Sequence, residues 1–251
     1  MGFNKRLFQD AAETCTSSNL DHPVSGTALY QMENNGNSTS SSSYNATSTA
    51  NVTFDSSEKK FGSYSASFNG SSSKIILSAN DFHLSAFTIT AWVRVSSYPS
   101  SGNYNIMNTY DYVGGPSRGW NVYIDTNGKL TFAGHSGDCA HPYPTDASCT
   151  AYTRIIASNA VPTNTWTFVA CTNAGTGGAV TLYKGATSEA TTTMQGLAYH
   201  TGHVTTIGYM QYSSGGTSYD ANFFNGHIDQ LRVYNSALSA SNISTLASET
   251  C

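Results

Sequence analysis

Charge is the scarcest commodity in this 251-residue chain. It carries 11 basic and 15 acidic residues, 10% of the total, where an ordinary soluble domain has about 25%. With a net charge of -4 and no basic run, it lacks the means to neutralise a phosphate backbone, so nucleic-acid binding is not expected. Long apolar runs are missing too. Nothing approaches the roughly 18 consecutive apolar residues of a membrane span. The opening Met1 to Asp10 is not followed by the apolar stretch of a secretory leader. No Gly-x-Ser-x-Gly elbow, His-Glu-x-x-His pair or phosphate-cradling loop occurs.

What replaces charge is hydroxyl and amide. Ser (36), Thr (31) and Asn (21) make up over a third of the chain. Aromatics at 12% leave enough apolar material for a core, unlike a disordered composition. A surface solvated this way suits an all-β protein outside the cell or on a particle. Two readings reconcile that surface with an opening unlike a leader: an export signal trimmed from the sequence, or a virion protein, made in the host cytoplasm and exposed on the particle.

The five cysteines match no zinc spacing. Cys139 and Cys149 bracket a loop with two prolines, where a local disulfide fits. Cys15 and Cys251 lie near the two ends, which often meet in compact domains, so a terminal disulfide fits as well. The alternative is that all five are reduced. Cys171 sits in an apolar strand pattern and reads as a buried free thiol.

Residues 1–25 are polar and aperiodic and read as an N-terminal arm; 26–251 read as one domain. Short β-type segments are expected at 27–32, 46–54, 64–69, 73–78, 87–95, 104–110, 120–126, 129–134, 153–158, 165–173, 179–184, 204–210 and 226–234. Asn127-Gly128 is a strong hairpin signal. Residues 87–95 alternate with one apolar face, and 165–171 are apolar on both faces, as in a central strand. The Asn/Ser/Thr-rich stretch 34–51 reads mainly as loop. One helix is expected after the cap Ser239, with Ile243 and Leu246 as its apolar face. The fold class is all-β: a jelly-roll sandwich of two antiparallel sheets with one short C-terminal helix.

Four segments then resemble, in order, a known family. They are Ser65-Ala-Ser-Phe-Asn-Gly-Ser-Ser-Ser-Lys-Ile-Ile-Leu, Phe87-Thr-Ile-Thr-Ala-Trp-Val-Arg-Val, Trp166-Thr-Phe-Val-Ala-Cys-Thr with Val180-Thr-Leu-Tyr-Lys-Gly, and Gly226-His-Ile-Asp-Gln-Leu-Arg-Val-Tyr-Asn-Ser-Ala-Leu-Ser. Together, over about residues 26–248, they are similar to laminin G-like, concanavalin A-like domains. Two departures stand out: Lys184 in place of a frequent acidic residue, and a long insert at 136–152, a candidate specificity loop. In its style of sequence rather than in any motif, the chain is also similar to structural proteins of marine bacteriophages.

The resemblance implies a structural calcium between an early Asn-rich loop and the closing strand. Asp229 matches the strand position; Glu33, Asn35 and Asn37 fall where the loop ligands would. The alternative for Asp229 is an ion pair with Arg232. Glucanases of the superfamily use a Glu-x-Asp-x-x-Glu strand, whose alternation puts the acids on one face. No such string occurs here, and Glu58, Glu189 and Glu249 are isolated, so no enzymatic activity is expected. Tyr110, Tyr112, Tyr212 and Tyr219 lie in or beside Gly- and Ser-rich loops, where rings stack on sugars or partner proteins. His200 and His203 read as exposed turn residues, and His135 and His141 as surface residues. The resulting expectation is a non-enzymatic virion surface protein, a capsid decoration or fibre tip. It would be docked through its arm to a capsid or tail protein and would touch host glycans. A homo-oligomer such as a trimer suits that setting. The alternative is an extracellular lectin or adhesin.

Overall fold

The computed structural model describes residues 23–79, 81–112, 116–140, 152–214 and 217–250. The first half runs β1 (Ala28–Tyr30), β2 (Ser48–Ala50), β3 (Thr53–Asp55), β4 (Ser65–Asn69), β5 (Lys74–Ala79), β6 (Phe87–Val95), β7 (Tyr104–Asn108) and β8 (Asp111–Tyr112). Next come β9 (Pro116–Ile124), β10 (Lys129–Ala140), β11 (Tyr152–Ala160), β12 (Thr167–Asn173) and β13 (Ala179–Lys184). The chain continues through β14 (Thr187–Thr193), β15 (Val204–Ile207), β16 (Met210–Ser214), β17 (Thr217–Ala221), β18 (Asn225–Tyr234) and the helix α1 (Ala240–Ala247).

Two antiparallel sheets form. The first has the order β14-β13-β12-β6-β18-β4-β3, with β1 also on β18. The second has the order β11-β10-β9-β7-β15-β5-β2, with β8 also on β9. β16 and β17 make a separate two-stranded hairpin. Alternation places Ile89, Ala91, Val93, Val122, Phe132, Leu182 and Val233 in the core between the sheets. Phe87 packs on Trp120 there at 4.8 Å between ring centroids. The free thiol Cys171 belongs to the same core, and burial pushes its pKa up.

A second apolar cluster covers the outer face of the first sheet, joining Ile243 and Leu246 of α1 to Trp92, Phe168, Tyr183 and Tyr234. Ser239 caps α1 by accepting the Asn242 N–H at 3.2 Å. An eight-residue helix is marginal alone. Ile243 and Leu246 anchor it at about 1.5–3 kcal/mol each. This cover buries Thr88, Thr90 and Trp92, which alternation alone would leave facing solvent.

Two turns show why the sequence bends where it does. Between β9 and β10, Asp125 Oδ1 accepts the N–H groups of Asn127 and Lys129, both at 2.9 Å, and Gly128 takes φ 75°. At the start of β18, Gly226 has φ 140°. A Cβ there would meet the Arg94 carbonyl oxygen at 2.1 Å, so the close approach of β18 to β6 demands glycine.

The expected strand at 46–54 is two strands on different sheets: β2 pairs with β5 and β3 with β4. Asn51, at φ 54°, turns the chain from one sheet to the other. Four strands were not anticipated: β8, β14, β16 and β17.

Candidate functional site

The β16–β17 hairpin carries a stacked aromatic pair. Its register sets Tyr212 opposite Tyr219. Their rings stack at 5.4 Å with 21° between planes, and Tyr219 is 45% exposed. Two anchors hold the hairpin. On one side, Asp111 Oδ1 accepts the N–H of Ser213 at 3.0 Å and that of Tyr112 at 2.8 Å. On the other, the Lys74 ammonium donates to Asp220 Oδ2 at 2.6 Å. At the hairpin base, Tyr209 stacks on Phe223 at 5.9 Å.

Asp111 therefore ties half-buried Tyr112 on β8 to the hairpin that carries Tyr212 and Tyr219. Its second oxygen lies 3.2 Å from His203 Nδ1, and both side chains are buried. Burial raises the Asp111 pKa, but the His203 hydrogen bond and charge and the two N–H donors outweigh it and hold the group low. His203 is thus an internal anchor, not an exposed turn residue, because it is buried against Asp111 of β8. His83 stacks on Tyr199 at 4.3 Å, and burial, then the charge of His203, lowers its pKa.

Tyr110 is not presented with the other three rings. It is 5% exposed, its ring packs edge-on to His135 at 4.8 Å, and its hydroxyl lies 3.0 Å from Ser117 Oγ. His135 is likewise buried rather than a surface residue, wedged between Tyr110 and Tyr152. His141 lies outside the described residues. Asp111 and His203 are the site residues the sequence reading missed: an Asp at a strand end and a His beside a Gly carry no sign that they meet.

The residues expected to hold calcium divide. Asp229 is fully buried; its Oδ2 accepts the N–H groups of Lys60 at 2.9 Å and Phe61 at 3.1 Å. Its Oδ1 has no partner among the described residues. Burial pushes its pKa up to about 7, with the charge of Glu33 adding to the rise. Glu33 accepts the Ser63 N–H at 3.0 Å with each of its oxygens. Asp229 and Glu33 thus both hold the 60–63 segment. Asn35 and Asn37 form their own turn: Asn35 Oδ1 accepts the Asn37 N–H at 2.8 Å. Asp229 makes no pair with Arg232, which bonds Glu249 instead at 2.9 Å. Among the described residues no three His, Cys, Asp or Glu side chains gather into a metal cluster.

The other carboxylates have structural partners. Glu58 lies 3.2 Å from the Arg94 guanidinium. Glu189 Oε2 accepts the N–H of Asn159 at 2.9 Å. Of the cysteines expected in disulfides, Cys15, Cys149 and Cys251 lie outside the described residues. So does the side chain of Cys139.

Comparison with known proteins agrees with this architecture. The sequence profile of the family described as the concanavalin A-like lectin/glucanases superfamily matches residues 69–244. No curated protein matches the chain significantly. Among solved structures, domain 4 of AbnA, a GH43 extracellular arabinanase from Geobacillus stearothermophilus, in complex with arabinotriose, superposes with a TM-score of 0.65 at 17% identity. The match covers 88% of this chain and 98% of that one. The binding domain of Paraclostridial Mosquitocidal Protein 1 gives 0.63 at 17% identity, covering 88% of this chain and 51% of that one. That of botulinum neurotoxin serotype D gives 0.60 at 19%, covering 88% and 51%. The chain thus spans about half the length of the toxin binding domains it matches. At these identities the likeness is one of fold.

Proposed function

The chain belongs to the concanavalin A-like lectin/glucanases superfamily, and from that premise we propose that it is a non-enzymatic, carbohydrate-binding surface module. The observation that carries this reading is the stacked pair Tyr212 and Tyr219, held on a pinned hairpin beside Tyr112. Flat, amphipathic rings fixed at a surface contact sugar faces at little entropic cost. The absence of enzymatic activity is supported by the missing Glu-x-Asp-x-x-Glu strand and by the structural commitments of Glu58, Glu189 and Glu249. A glycan complex reported for one relative of the same fold supports the ligand class.

Replacing Tyr212 or Tyr219 with alanine is expected to weaken glycan binding by about 1–2 kcal/mol, five- to thirty-fold, with the melting temperature nearly unchanged. Isothermal titration against the best glycan of an array checks it; unaltered affinity in both variants rejects the tyrosine platform.

A structural calcium belongs to this reading. Asp229 and Glu33 would hold it, with further oxygens from the 33–37 segment and the main chain. A buried carboxylate that feels the charge of a second acid is an oxygen-only donor set of the kind a hard cation takes. Such an ion would lock the 60–63 segment against β18.

The finer placement is the virion surface, as a capsid decoration or fibre tip docked through residues 1–25. The low-charge surface rich in hydroxyls and amides supports it. Deleting residues 1–20 is expected to leave a folded domain absent from purified particles. Normal incorporation of that truncation removes the docking role and favours a secreted lectin or adhesin.

A further inference from the structure

Two histidines come together where the chain enters β15. The stretch 199–205 packs on the stretch 81–84, which links β5 to β6. The Tyr199 hydroxyl donates to the Leu84 carbonyl at 2.5 Å, and the Thr205 hydroxyl donates to the Asp81 carbonyl. This closure makes His203 a neighbour of His83. The His83 ring lies flat on Tyr199, with 11° between planes, and feels the charge of His203.

The bonding of the two rings leaves one nitrogen on each. His203 is 8% exposed, and its Nδ1 donates to Asp111 Oδ2 at 3.2 Å. That bond fixes the ring proton on Nδ1 and leaves a lone pair on Nε2, across the ring from the carboxylate. His203 Nε2 is buried without a hydrogen-bond partner among the described residues, and so is His83 Nε2. Buried polar atoms are costly to leave bare, so two of them in one place call for a shared partner. Burial, then the charge of His203, lowers the His83 pKa, which keeps that ring at pH 7 in the neutral form that ligates metal. A carboxylate on the far nitrogen is the device that orients a ligating histidine and raises its basicity. Neutral imidazole nitrogens suit zinc, copper or nickel, whereas calcium takes oxygens. His83 is only half-buried, which leaves an ion a way in.

We propose that His83 and His203 form a two-imidazole site for a divalent transition-metal ion, held through the two Nε2 atoms, with Asp111 positioning His203. No third His, Cys, Asp or Glu joins the pair among the described residues, so water completes the coordination. The site lies on the second sheet, apart from Asp229 on the first, and does not rest on the carbohydrate-binding reading. Asp111 also accepts the N–H groups of Ser213 and Tyr112, so an ion here would stiffen the base of the β16–β17 hairpin.

Calorimetric titration of the full chain with Ni²⁺ at neutral pH, after EDTA treatment and desalting, tests it. Nickel should bind, and His83→Gln and His203→Gln should each weaken that binding about ten-fold or more, with metal-free melting close to the parent. Should a variant fail to fold, the wild-type chain decides by paramagnetic broadening. Substoichiometric Ni²⁺ should broaden the ring signals of His83 and His203 before those of the other five histidines. No binding, affinity unaltered in both variants, or broadening centred on other residues overturns the site and assigns the two nitrogens to bridging water.

Discussion

Arg232→Ala is expected to cost about 3–5 kcal/mol of stability, read as a lowered urea midpoint. Arg232 lies on β18 beneath α1, and its Nη1 meets Glu249 Oε2 at 2.9 Å with essentially no solvent exposure on either side chain. Glu249 follows α1 directly, so this pair ties the end of the helix to the first sheet. Removing the guanidinium takes a charged partner from a carboxylate that water does not reach, and more of the hold on α1 falls to Ile243 and Leu246. Buried ion pairs are costly to break singly and cheap to replace whole. The double variant Arg232→Met with Glu249→Leu should therefore recover most of the loss. A single variant within about 1 kcal/mol of the parent would mean that the pair is solvated and α1 is held by packing alone.

The second large effect is at Asp229. Its carboxyl ordinarily titrates near 4 but is pushed up to about 7 in the folded chain, chiefly by burial. The folded state therefore keeps a proton that the unfolded chain releases. This contribution is complete below pH 4 and is lost as pH rises through 7. Each pKa unit is about 1.4 kcal/mol, so without calcium the group alone should cost on the order of 3 kcal/mol between pH 4 and 8. Asp55 and Asp111 are held low and pull the opposite way. The difference between wild type and Asp229→Asn isolates the site. Calcium should offset most of that loss by binding the ionised form: at pH 8, calcium at about 100 times its Kd adds about 2.7 kcal/mol, roughly 5–10 °C in melting temperature for a chain of this size. EDTA should remove it. A melting temperature indifferent to both calcium and EDTA would reject the metal, and a pH difference of zero between the two proteins would reject the perturbed carboxyl.

Much of the fold is legible in the sequence because its signals are local. Phe87–Val95 and Ala179–Lys184 occupy the expected ranges, and α1 starts after its expected cap. In each, the apolar period or the capping residue agrees with what the tertiary structure buries. The missed strands have no such signal. β14 reads Thr-Ser-Glu-Ala-Thr-Thr-Thr and buries little besides Ala190 and the Glu189 carboxylate; its strand character comes from pairing with β13. The 46–54 segment looked like one strand because nothing in its composition marks Asn51 as the place where the chain changes sheets.

The candidate site was legible in part. Gly- and Ser-rich flanks pointed to Tyr212 and Tyr219, and the structure pairs them across a hairpin. The same reasoning placed Tyr110 beside them, yet in the link between β7 and β8 its ring turns inward onto His135. Asp111 and His203 are 92 positions apart in a chain where polar residues are everywhere; only the topology that sets β8 beside the hairpin brings them together.

The central claim is that this is a carbohydrate-binding module without hydrolytic activity. One measurement tests it most directly: the full chain applied to a glycan array, followed by chromatography of the best-bound oligosaccharide after overnight incubation. The account predicts saturable binding to at least one glycan class, with the oligosaccharide recovered at its original length. Absence of binding across the array, or shortened products, would contradict it.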